Sequence, residues 1–534
     1  MMSMKNESFD VIVLGGGAAG SVLAARLSED SSRRVLLLEA GKRAPETVYM
    51  PAKWISHVDT EIDWKYHTVP QEGCFMRRLP WPRGKVIGGS GSINAMIYIR
   101  GVPSDFDGWE ASGCRGWGWK NVLPIFKSSE HNARFGNNNY HASGGPLYVG
   151  DVPYVDPTEP VLLEAAKNAG HTFNEDFNGQ QQEGVGYFQL LVKSGERFSA
   201  AKAFLEPAEE RPNLEVRTGV MIKKLIIENN RASGVEYLHN GETHRISTSG
   251  DIVLSSGAIG SPQILMLSGI GPAAELKDIG IQPLIDLPGV GKNLQDHVNI
   301  PITYRSKENV GLSGMAAAEV EEAVDEWRKD KTGIITSNWA ALGGHVKSTP
   351  EVKDPDLQLY FIAATAQDLA RYNPMHAGFN FYATLQRPKS SGEIKLRSAD
   401  PLEHPAIDPK YFMNDETNSD IKTMIAGVKI NREIAEQSPI AEFIDCEVAP
   451  SAGAKTDQQI GDVIRSHCTT LYHPAGTCKM GVDEMSVVDP ELKLNGVDNV
   501  RIADASIMPH MISGNLQATV IMTAEKCSTF MRNH

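Results

Sequence analysis

The feature that most constrains the fold is a glycine-rich segment near the start of the chain, between two apolar runs. Residues 11–14 (VIVL) form an apolar run of the length that a buried parallel strand needs. Glycines follow at positions 15, 17 and 20. In a dinucleotide-binding turn the first glycine permits a tight bend, the second lets the backbone approach a pyrophosphate, and the third lets the helix pack on the strand. We therefore expect a helix over about residues 18–27 whose free N–H groups face a phosphate.

A second apolar run, residues 35–38, ends at Glu39. An acidic residue at the end of the second strand, about 20 positions after the last glycine, is where an acceptor for a ribose hydroxyl is expected. With both strands and this carboxylate present, a βαβ nucleotide-binding unit is favoured over a purely structural glycine-rich turn. The pattern does not separate NAD from FAD, because both carry an adenosine pyrophosphate.

A second glycine-rich segment covers residues 82–95 (PRGKVIGGSGSINA) and has neither a helical nor a strand period. Such a segment exposes many backbone N–H groups, as a loop in contact with an anion or a ring requires. Taken alone, it also fits a flexible loop.

Composition limits the classes of function. The chain has 534 residues, of which 41% are hydrophobic and 22% charged, as in soluble globular proteins of more than one domain. A net charge of −14 argues against a nucleic-acid partner. No apolar run is long enough to span a membrane, and the first ten residues are polar, so we expect neither a transmembrane helix nor a signal peptide. The six cysteines show no CxxC or metal-site spacing, which predicts reduced thiols in a cytoplasmic protein that binds no metal.

The middle of the chain has a different pattern. Short alternating segments between residues 214 and 256, separated by turn residues, are typical of a β-meander. A helical charge pattern over residues 317–331 precedes mixed strands at 356–362 and 393–397. This later region has no phosphate-binding signal, so we expect it to bind the substrate.

Five blocks of the sequence together resemble the glucose-methanol-choline (GMC) oxidoreductases. In chain order they are residues 82–95 (PRGKVIGGSGSINA), 257–271 (GAIGSPQILMLSGIG), 289–297 (GVGKNLQDH), 472–481 (YHPAGTCKMG) and 501–509 (RIADASIMP). They occur in the order of the family, and with the N-terminal unit they cover essentially the whole chain. Within the family, the chain is most similar to bacterial FAD-dependent alcohol dehydrogenases that act on aliphatic alcohols, with choline dehydrogenases next.

The resemblance implies an α/β fold with two domains. The first is a Rossmann-like FAD-binding domain, discontinuous in sequence, made of residues 1–155, 195–302 and 464–534. The second is a substrate-binding α+β domain of residues 156–194 and 303–463, built on an antiparallel or mixed sheet with helices.

The resemblance also implies FAD as the cofactor. The residues expected to contact it are Gly15, Gly17, Ala18, Ala19, Gly20, Glu39, Ala40, Gly41, Gly88, Gly89, Ser90, Ser92, Asn94, Ala95, Val220, Asp504, Ala505 and Gln517. Some choline-oxidising relatives attach FAD covalently through a histidine at the position of Ile93. Isoleucine cannot form that bond, so we expect FAD to be non-covalently bound.

Oxidation of an alcohol needs a base for the hydroxyl proton and a hydride acceptor, and the flavin is the acceptor. His473 is the candidate base, because an imidazole has a pKa near neutrality and Pro474 restricts the backbone that carries it. Without the family blocks around it, a histidine between a tyrosine and a proline would be interpreted as structural. His297 is interpreted as structural or flavin-adjacent, and His467 and His510 have no motif support.

In the family that this chain resembles, a second catalytic residue, His or Asn, faces the base across the substrate oxygen. Here the corresponding run is NLQATV, residues 515–520, which places Gln517 at the position of the catalytic amide. Glutamine keeps the amide but has one more rotatable bond than asparagine. We favour Gln517 as the partner of His473; Asn515 would take the role if the following helix starts at a different residue.

No motif distinguishes oxygen from a quinone as the electron acceptor. The resemblance favours a membrane quinone, reached by peripheral docking at the cytoplasmic membrane face. A primary aliphatic alcohol is the expected substrate; polyethylene glycol, aryl alcohols and choline are alternatives. The altered run at Gln517 keeps open a non-redox flavoprotein of the same fold, such as a lyase or a photodecarboxylase. The presence of His473 disfavours a catalytically silent flavin-binding protein.

Overall fold

The computed structural model describes residues 8–365 and 376–532, so part of the polar N-terminal segment lies outside the described residues. The α-helices in the described ranges are Ala18–Leu27, Pro103–Ala111, Trp119–Ser129, Glu159–Asn168, Glu206–Ala208, Gly257–Leu267, Ala273–Asp278, Ala317–Asp330, Ser419–Ala435, Ile440–Phe443, Asp457–His467 and Gln517–Arg532.

Two large sheets organise the described strands. The first sheet contains Ser8–Leu14, Val35–Glu39, Leu214–Thr218, Val220–Glu228, Arg231–His239, Glu242–Leu254 and Val500–Ile502. The second sheet contains Gly184–Tyr187, Val298–Ser306, Leu342–Val346, Leu357–Ile362, Gly378–Leu385, Ile444–Glu447 and Thr469–Thr470.

Smaller sheets complete the described strands. A three-stranded sheet joins Lys292–Leu294, Gly392–Lys395 and Ala406–Asp408. Two-stranded pairs are Tyr66–His67 with Pro80–Trp81, Glu130–Asn132 with Leu147–Val149, Val192–Lys193 with Glu196–Arg197, and Ile270–Gly271 with Ile285–Asp286.

The centre of the first sheet is parallel, as the N-terminal pattern predicts. Strand Ser8–Leu14 lies between Val35–Glu39 and Glu242–Leu254 and runs parallel to both. The apolar side chains of residues 11–14 and 35–38 are almost completely buried. Burial of each such side chain contributes about 1.5–3 kcal/mol relative to exposure, so this apolar run is the core of the sheet. The predicted helix is present as Ala18–Leu27 and packs against the C-terminal helix Gln517–Arg532.

The predicted meander is partly wrong. Strands Val220–Glu228, Arg231–His239 and Glu242–Leu254 form successive antiparallel pairs as expected. Strand Leu214–Thr218 instead lies parallel to Val35–Glu39. Parallel strands need a long crossover rather than a tight turn, and the chain between residues 39 and 214 is that crossover. The local alternation of side chains is the same for both kinds of pairing, so it could not distinguish them.

The second sheet is antiparallel throughout its described pairs, with Gly378–Leu385 between Val298–Ser306 and Leu357–Ile362. Helix Ser419–Ala435 packs on it, and a Cβ at Gly427 would lie 2.8 Å from the Cβ of Ala383. Glycine therefore allows the helix to approach the strand closely.

These two sheets and their helices confirm the predicted α/β class with an added antiparallel region. The division into two domains stays a prediction, and the two sheets are the units on which it would rest. Among the described residues, no helix has both the length and the apolar character needed to cross a membrane.

Candidate active site

The N-terminal glycine turn is held by Glu39. Its carboxylate accepts hydrogen bonds from the backbone N–H of Gly16 and of Gly41, both at 2.7 Å. Burial raises the pKa of this carboxyl to about 7, against the lowering effect of the two amides. Gly15 has φ +106°, a conformation that favours glycine. The carboxylate thus closes the turn and still has lone pairs for a further donor.

Most of the predicted FAD contacts line one large cavity beside this turn. They are Gly15, Gly17, Ala18, Ala19, Glu39, Ala40, Gly89, Ser90, Asn94, Ala95, Val220, Asp504, Ala505 and Gln517. Ile93 lines it too, as do His473 and Asn515. The structure therefore brings segments from both ends of the chain to one cavity.

Four residues of the predicted set stand behind the cavity wall rather than in it. A Cβ at Gly20 would lie 1.8 Å from the carbonyl oxygen of Gly15, and one at Gly41 would lie 2.1 Å from the backbone of Lys85. The N–H of Gly88 donates to the carbonyl oxygen of Gly16, and the hydroxyl of Ser92 donates to the carbonyl oxygen of Ile87, both at 2.7 Å. These four residues, Gly20, Gly41, Gly88 and Ser92, hold the wall in place.

Asp504 fixes the start of a second helix at the cavity. Its Oδ2 accepts from the N–H of Gly257 at 2.8 Å and from the hydroxyl of Ser261 at 2.6 Å. Helix Gly257–Leu267 therefore begins at the cavity, where its free N–H groups favour an anionic group. The sequence identified this block through the family but did not name its residues as contacts.

The backbone around His473 is fixed on both sides. The N–H of His473 donates to Oδ1 of Asp296 at 2.9 Å. The guanidinium of Arg83 donates to the carbonyl of Tyr472, which has φ +67°. The hydroxyl of Tyr411 donates to the other oxygen of Asp296. These contacts join four distant segments of the chain, and they hold the imidazole at the cavity.

The orientation of the hydrogen atoms on His473 follows from its neighbours. Nε2 of His297 lies 3.2 Å from the carbonyl oxygen of Gln386, which can only accept, so this nitrogen carries a hydrogen. In the neutral ring, Nδ1 of His297 is then an acceptor. It lies 2.9 Å from Nδ1 of His473, which must donate to it. Nε2 of His473 is therefore unprotonated and has a free lone pair.

The pKa shifts agree with neutral rings. Burial lowers the pKa of His297 to about 3. Burial also holds the pKa of His473 well below its ordinary value, with smaller effects from His297 and the Arg83 cation. Both imidazoles are neutral at physiological pH, as the hydrogen-bond pattern requires.

Asn515 is the amide beside the free nitrogen. Its Nδ2 lies 3.5 Å from Nε2 of His473. Its Oδ1 accepts from Nε2 of Gln358 at 3.2 Å, and its Nδ2 donates to the hydroxyl of Tyr360 at 3.2 Å. The side chain of Asn515 is thus oriented by the second sheet, with its N–H group toward the cavity.

The side chain of Gln517 does not lie beside His473, where the sequence placed it. Its Oε1 is 3.5 Å from Nδ2 of Asn94, and a Cβ at Gly91 would lie 2.9 Å from its Nε2. Among the described residues this buried Nε2 has no hydrogen-bond partner. Gln517 is the first residue of helix Gln517–Arg532, and the turn of the helix directs its side chain to the glycine-rich loop. The amide beside His473 is that of Asn515.

His467 and His510 lie at the surface outside the cavity. Arg83, Asp296, Gln358 and Tyr360 were not expected at the site. One signal could have identified the last pair: strand Leu357–Ile362 alternates, so Gln358 and Tyr360 share one face. Within the described ranges, no cluster of His, Cys, Asp or Glu side chains has the geometry of a metal site.

The fold and site define a nucleotide-binding α/β protein with a partly buried histidine–asparagine pair in the wall of its cofactor cavity. Residues 9–299 and 388–524 match the N- and C-terminal family descriptions of the GMC oxidoreductases, and the chain belongs to this family.

Relatives of known name extend over the whole chain. An alcohol dehydrogenase [acceptor] from Pseudomonas putida is 43% identical, covering 97% of this chain and 95% of its own. The human mitochondrial choline dehydrogenase is 40% identical, covering 99% and 91%. Among solved structures, the pyridoxine 4-oxidase of Mesorbium loti has a TM-score of 0.89 at 30% identity and covers 99% of this chain and 100% of its own.

Membership confirms FAD as the cofactor, because GMC oxidoreductases depend on FAD. The cavity suits this cofactor on its own features. Two helix N-termini and the glycine turn line it, and so does Gln517, whose buried Nε2 has no hydrogen-bond partner among the described residues.

Proposed function

We propose that this protein oxidises an alcohol to the aldehyde, with FAD accepting the hydride, His473 acting as general base and Asn515 binding the substrate oxygen. One observation carries the proposal: the free Nε2 of His473 and the Nδ2 of Asn515 lie 3.5 Å apart at the wall of the FAD cavity. One group accepts a proton and the other donates a hydrogen bond, so both serve a single hydroxyl oxygen.

When bound, the flavin supplies the hydride acceptor. The side chains of the protein accept the hydroxyl proton and stabilise the oxygen that loses it. Nε2 of His473 takes the hydroxyl proton, while the amide of Asn515 stabilises the charge that develops on the oxygen. The cation formed on His473 keeps its hydrogen bond to Nδ1 of His297. Because Gln358 and Tyr360 hold the amide of Asn515 in place, this donor is preorganised.

FAD would be held by groups at both ends of the cavity. Glu39 is placed to accept from the ribose, and the backbone N–H groups at Gly17 and at the start of helix Ala18–Leu27 would face the pyrophosphate. Asn94 and Gln517, which are 3.5 Å apart, would lie at the end that holds the flavin ring. Ile93 offers no atom for a covalent link, which supports non-covalent FAD. We retain the two-domain division at the ranges 1–155, 195–302 and 464–534 against 156–194 and 303–463.

We propose a primary aliphatic alcohol as the substrate. The cavity that holds His473 is lined in part by apolar and aromatic side chains, among them Trp54, Ile362 and Leu471. Among the described residues that line the cavity, the acidic ones are Glu39 and Asp504. Both carboxylates already accept hydrogen bonds from backbone amides of the glycine turns. The Pseudomonas putida relative, named for an alcohol and an acceptor, supports the same choice.

For the electron acceptor we propose a quinone, reached from the cytoplasmic side by peripheral contact with the membrane. Oxygen is the alternative. The name of the Pseudomonas putida relative includes an electron acceptor but does not say which compound it is.

The test is an anaerobic panel with the FAD-loaded protein. We expect the flavin absorbance to bleach with primary aliphatic alcohols, and more slowly with polyethylene glycol, aryl alcohols and choline. Turnover with an artificial electron acceptor should exceed turnover with oxygen. If no alcohol bleaches the flavin, the proposal is wrong, and a non-redox activity of the same fold becomes the better hypothesis.

A further inference from the structure

Two of the six cysteines meet in the interior, although they are 394 positions apart in sequence. Sγ of Cys74 and Sγ of Cys468 lie 3.5 Å apart, and both residues are fully buried. Both are free thiols. Cys74 lies in the connection between the paired strands Tyr66–His67 and Pro80–Trp81, and Cys468 directly follows helix Asp457–His467.

Two arginines surround this pair. A guanidinium nitrogen of Arg77 lies 3.9 Å from Sγ of Cys468 and 3.0 Å from its carbonyl oxygen. Arg465 donates to the carbonyl of Gly73 at 2.9 Å and adds a second positive charge. The negative end of the helix that precedes Cys468 acts in the opposite direction.

The balance of these effects lowers the pKa of the Cys468 thiol. The hydrogen bond from the thiol of Cys74 lowers the pKa of Cys468, and the Arg77 and Arg465 cations lower it further against the effect of burial. The same hydrogen bond, and then burial, raises the pKa of Cys74. One sulfur is therefore the nucleophile and the other the resolving thiol, the arrangement that redox-active cysteine pairs use.

The turn that follows Cys74 is strained and exposed. Phe75 and Met76 follow it with φ of 53° and 61°, in the left-handed region that disfavours side chains. They are also 55% and 63% exposed, so little burial holds them in place. Opening of this turn would expose Cys74 without disturbing the two sheets.

We propose that Cys74 and Cys468 are a redox-sensitive thiol pair, which peroxide converts to a reversible disulfide. The thiolate of Cys468 attacks one oxygen of hydrogen peroxide and the O–O bond breaks; the sulfur becomes a sulfenic acid, and the hydroxide that leaves takes a proton from solvent to form one water. The sulfur of Cys74 then attacks Sγ of Cys468 and forms the S–S bond; the hydroxyl leaves with the thiol proton as a second water. The two sulfurs lose two electrons, and the peroxide gains them.

The disulfide would tie the segment at Cys74 to the one that leads into His473. Thr469–Thr470 follows Cys468 and pairs with the strand that begins at Val298. This inference does not rest on the proposed alcohol oxidation, because its test measures only the oxidation state of the two thiols.

The experiment treats the FAD-loaded protein with hydrogen peroxide and then alkylates the remaining thiols. We expect two thiols to be lost, and dithiothreitol to restore them. Tryptic peptides 66–77 and 466–479 should appear linked, lighter than their sum by two hydrogen atoms. Oxidation of the exposed Met76, in the first peptide, adds oxygen and is distinguished by mass.

Matched variants make the result specific. Cys74→Ser and Cys468→Ser should each abolish the linked peptide. Cys478→Ala should retain it, although Cys478 lies in the same tryptic peptide as Cys468. Arg77→Gln should slow disulfide formation about tenfold through the raised pKa of Cys468, whereas Arg78→Gln, at the exposed neighbouring position, should not. Two outcomes would overturn the proposal. In the first, Cys74 and Cys468 both remain fully open to alkylation after peroxide treatment. In the second, Cys468 is oxidised to a sulfinic or sulfonic acid while Cys74 remains a free thiol.

Discussion

Nδ1 of His473 lies 2.9 Å from Nδ1 of His297, and the carbonyl of Gln386 on the far side of His297 decides which of them carries the hydrogen. Because a carbonyl can only accept, the chain of donors runs from His473 to His297 to Gln386. The free lone pair is thereby left on Nε2 of His473, which faces Asn515. A backbone carbonyl thus selects the tautomer of the proposed base.

The first prediction concerns the base itself. His473→Ala should bind FAD as the wild type does but should reduce it with alcohol about 10²–10⁴-fold more slowly, the effect typical of losing a general base. Anaerobic stopped-flow absorbance measures this step apart from reoxidation. His467→Ala, at a surface histidine outside the cavity, is the control. A wild-type rate of flavin reduction in His473→Ala would refute the mechanism.

The second prediction concerns the tautomer. In His297→Ala the ring of His473 loses the acceptor that fixes both its tautomer and its orientation, so flavin reduction should slow at least about tenfold. In His297→Asn, the amide oxygen can occupy the place of Nδ1 and accept from His473, so most of the rate should return. The ¹⁵N chemical shifts of labelled histidine rings report the tautomer directly. Equal rates and shifts in the two variants would show that His297 only fills space.

The third prediction separates the two amides. Asn515→Ala removes the donor beside His473 and should slow flavin reduction about 10²-fold, as the loss of a preorganised oxyanion donor does. Gln517→Ala should act mainly on FAD affinity and the flavin spectrum, since Gln517 faces Asn94. The opposite result, slow reduction in Gln517→Ala and normal reduction in Asn515→Ala, would make Gln517 the partner.

The fourth prediction concerns the attachment of FAD. Ile93 lines the cavity, and its side chain has no atom that could form a covalent link to the flavin. Acid precipitation of the yellow protein should therefore release intact FAD into the supernatant, as chromatography and absorbance would show. Flavin that remains with the precipitated polypeptide would contradict the prediction.

The fifth prediction concerns stability and rests on a buried polar cluster away from the site. The ring nitrogens of His141 lie 3.2 Å from Glu130 and 3.0 Å from Asp176, and Glu130 pairs with Arg100 at 2.6 Å. Burial lowers the pKa of His141, but its hydrogen bonds with Asp176 and Glu130 outweigh burial and hold the pKa above its ordinary value.

A raised pKa in the folded state means that protonated His141 stabilises the fold. This contribution is complete below the unfolded pKa of about 6.5 and is lost as the pH rises through the folded value. The difference in Tm between the wild type and His141→Gln should therefore be larger at mildly acidic than at alkaline pH. A difference that stays constant or grows with pH would show that the charge of His141 does not stabilise the fold.

The sequence alone determined those features whose physics is local. The turn at Gly15, the helix after it and the carboxylate of Glu39 follow from spacing, because a tight bend and a close backbone approach require particular residues at particular positions. Family likeness identified FAD from motifs spread along the chain.

Tertiary structure decided what depends on distance in space. Alternation predicted strand Leu214–Thr218 but not its parallel pairing, because a strand has the same side-chain period in either direction. The run at 515–520 offered two amides, and the start of the last helix decided that Asn515 faces His473. The contact between Cys74 and Cys468 joins positions 394 apart, and no local pattern encodes such a meeting. Periodicity and turn chemistry act over a few residues, whereas the packing of whole sheets and helices sets which side chains share a cavity.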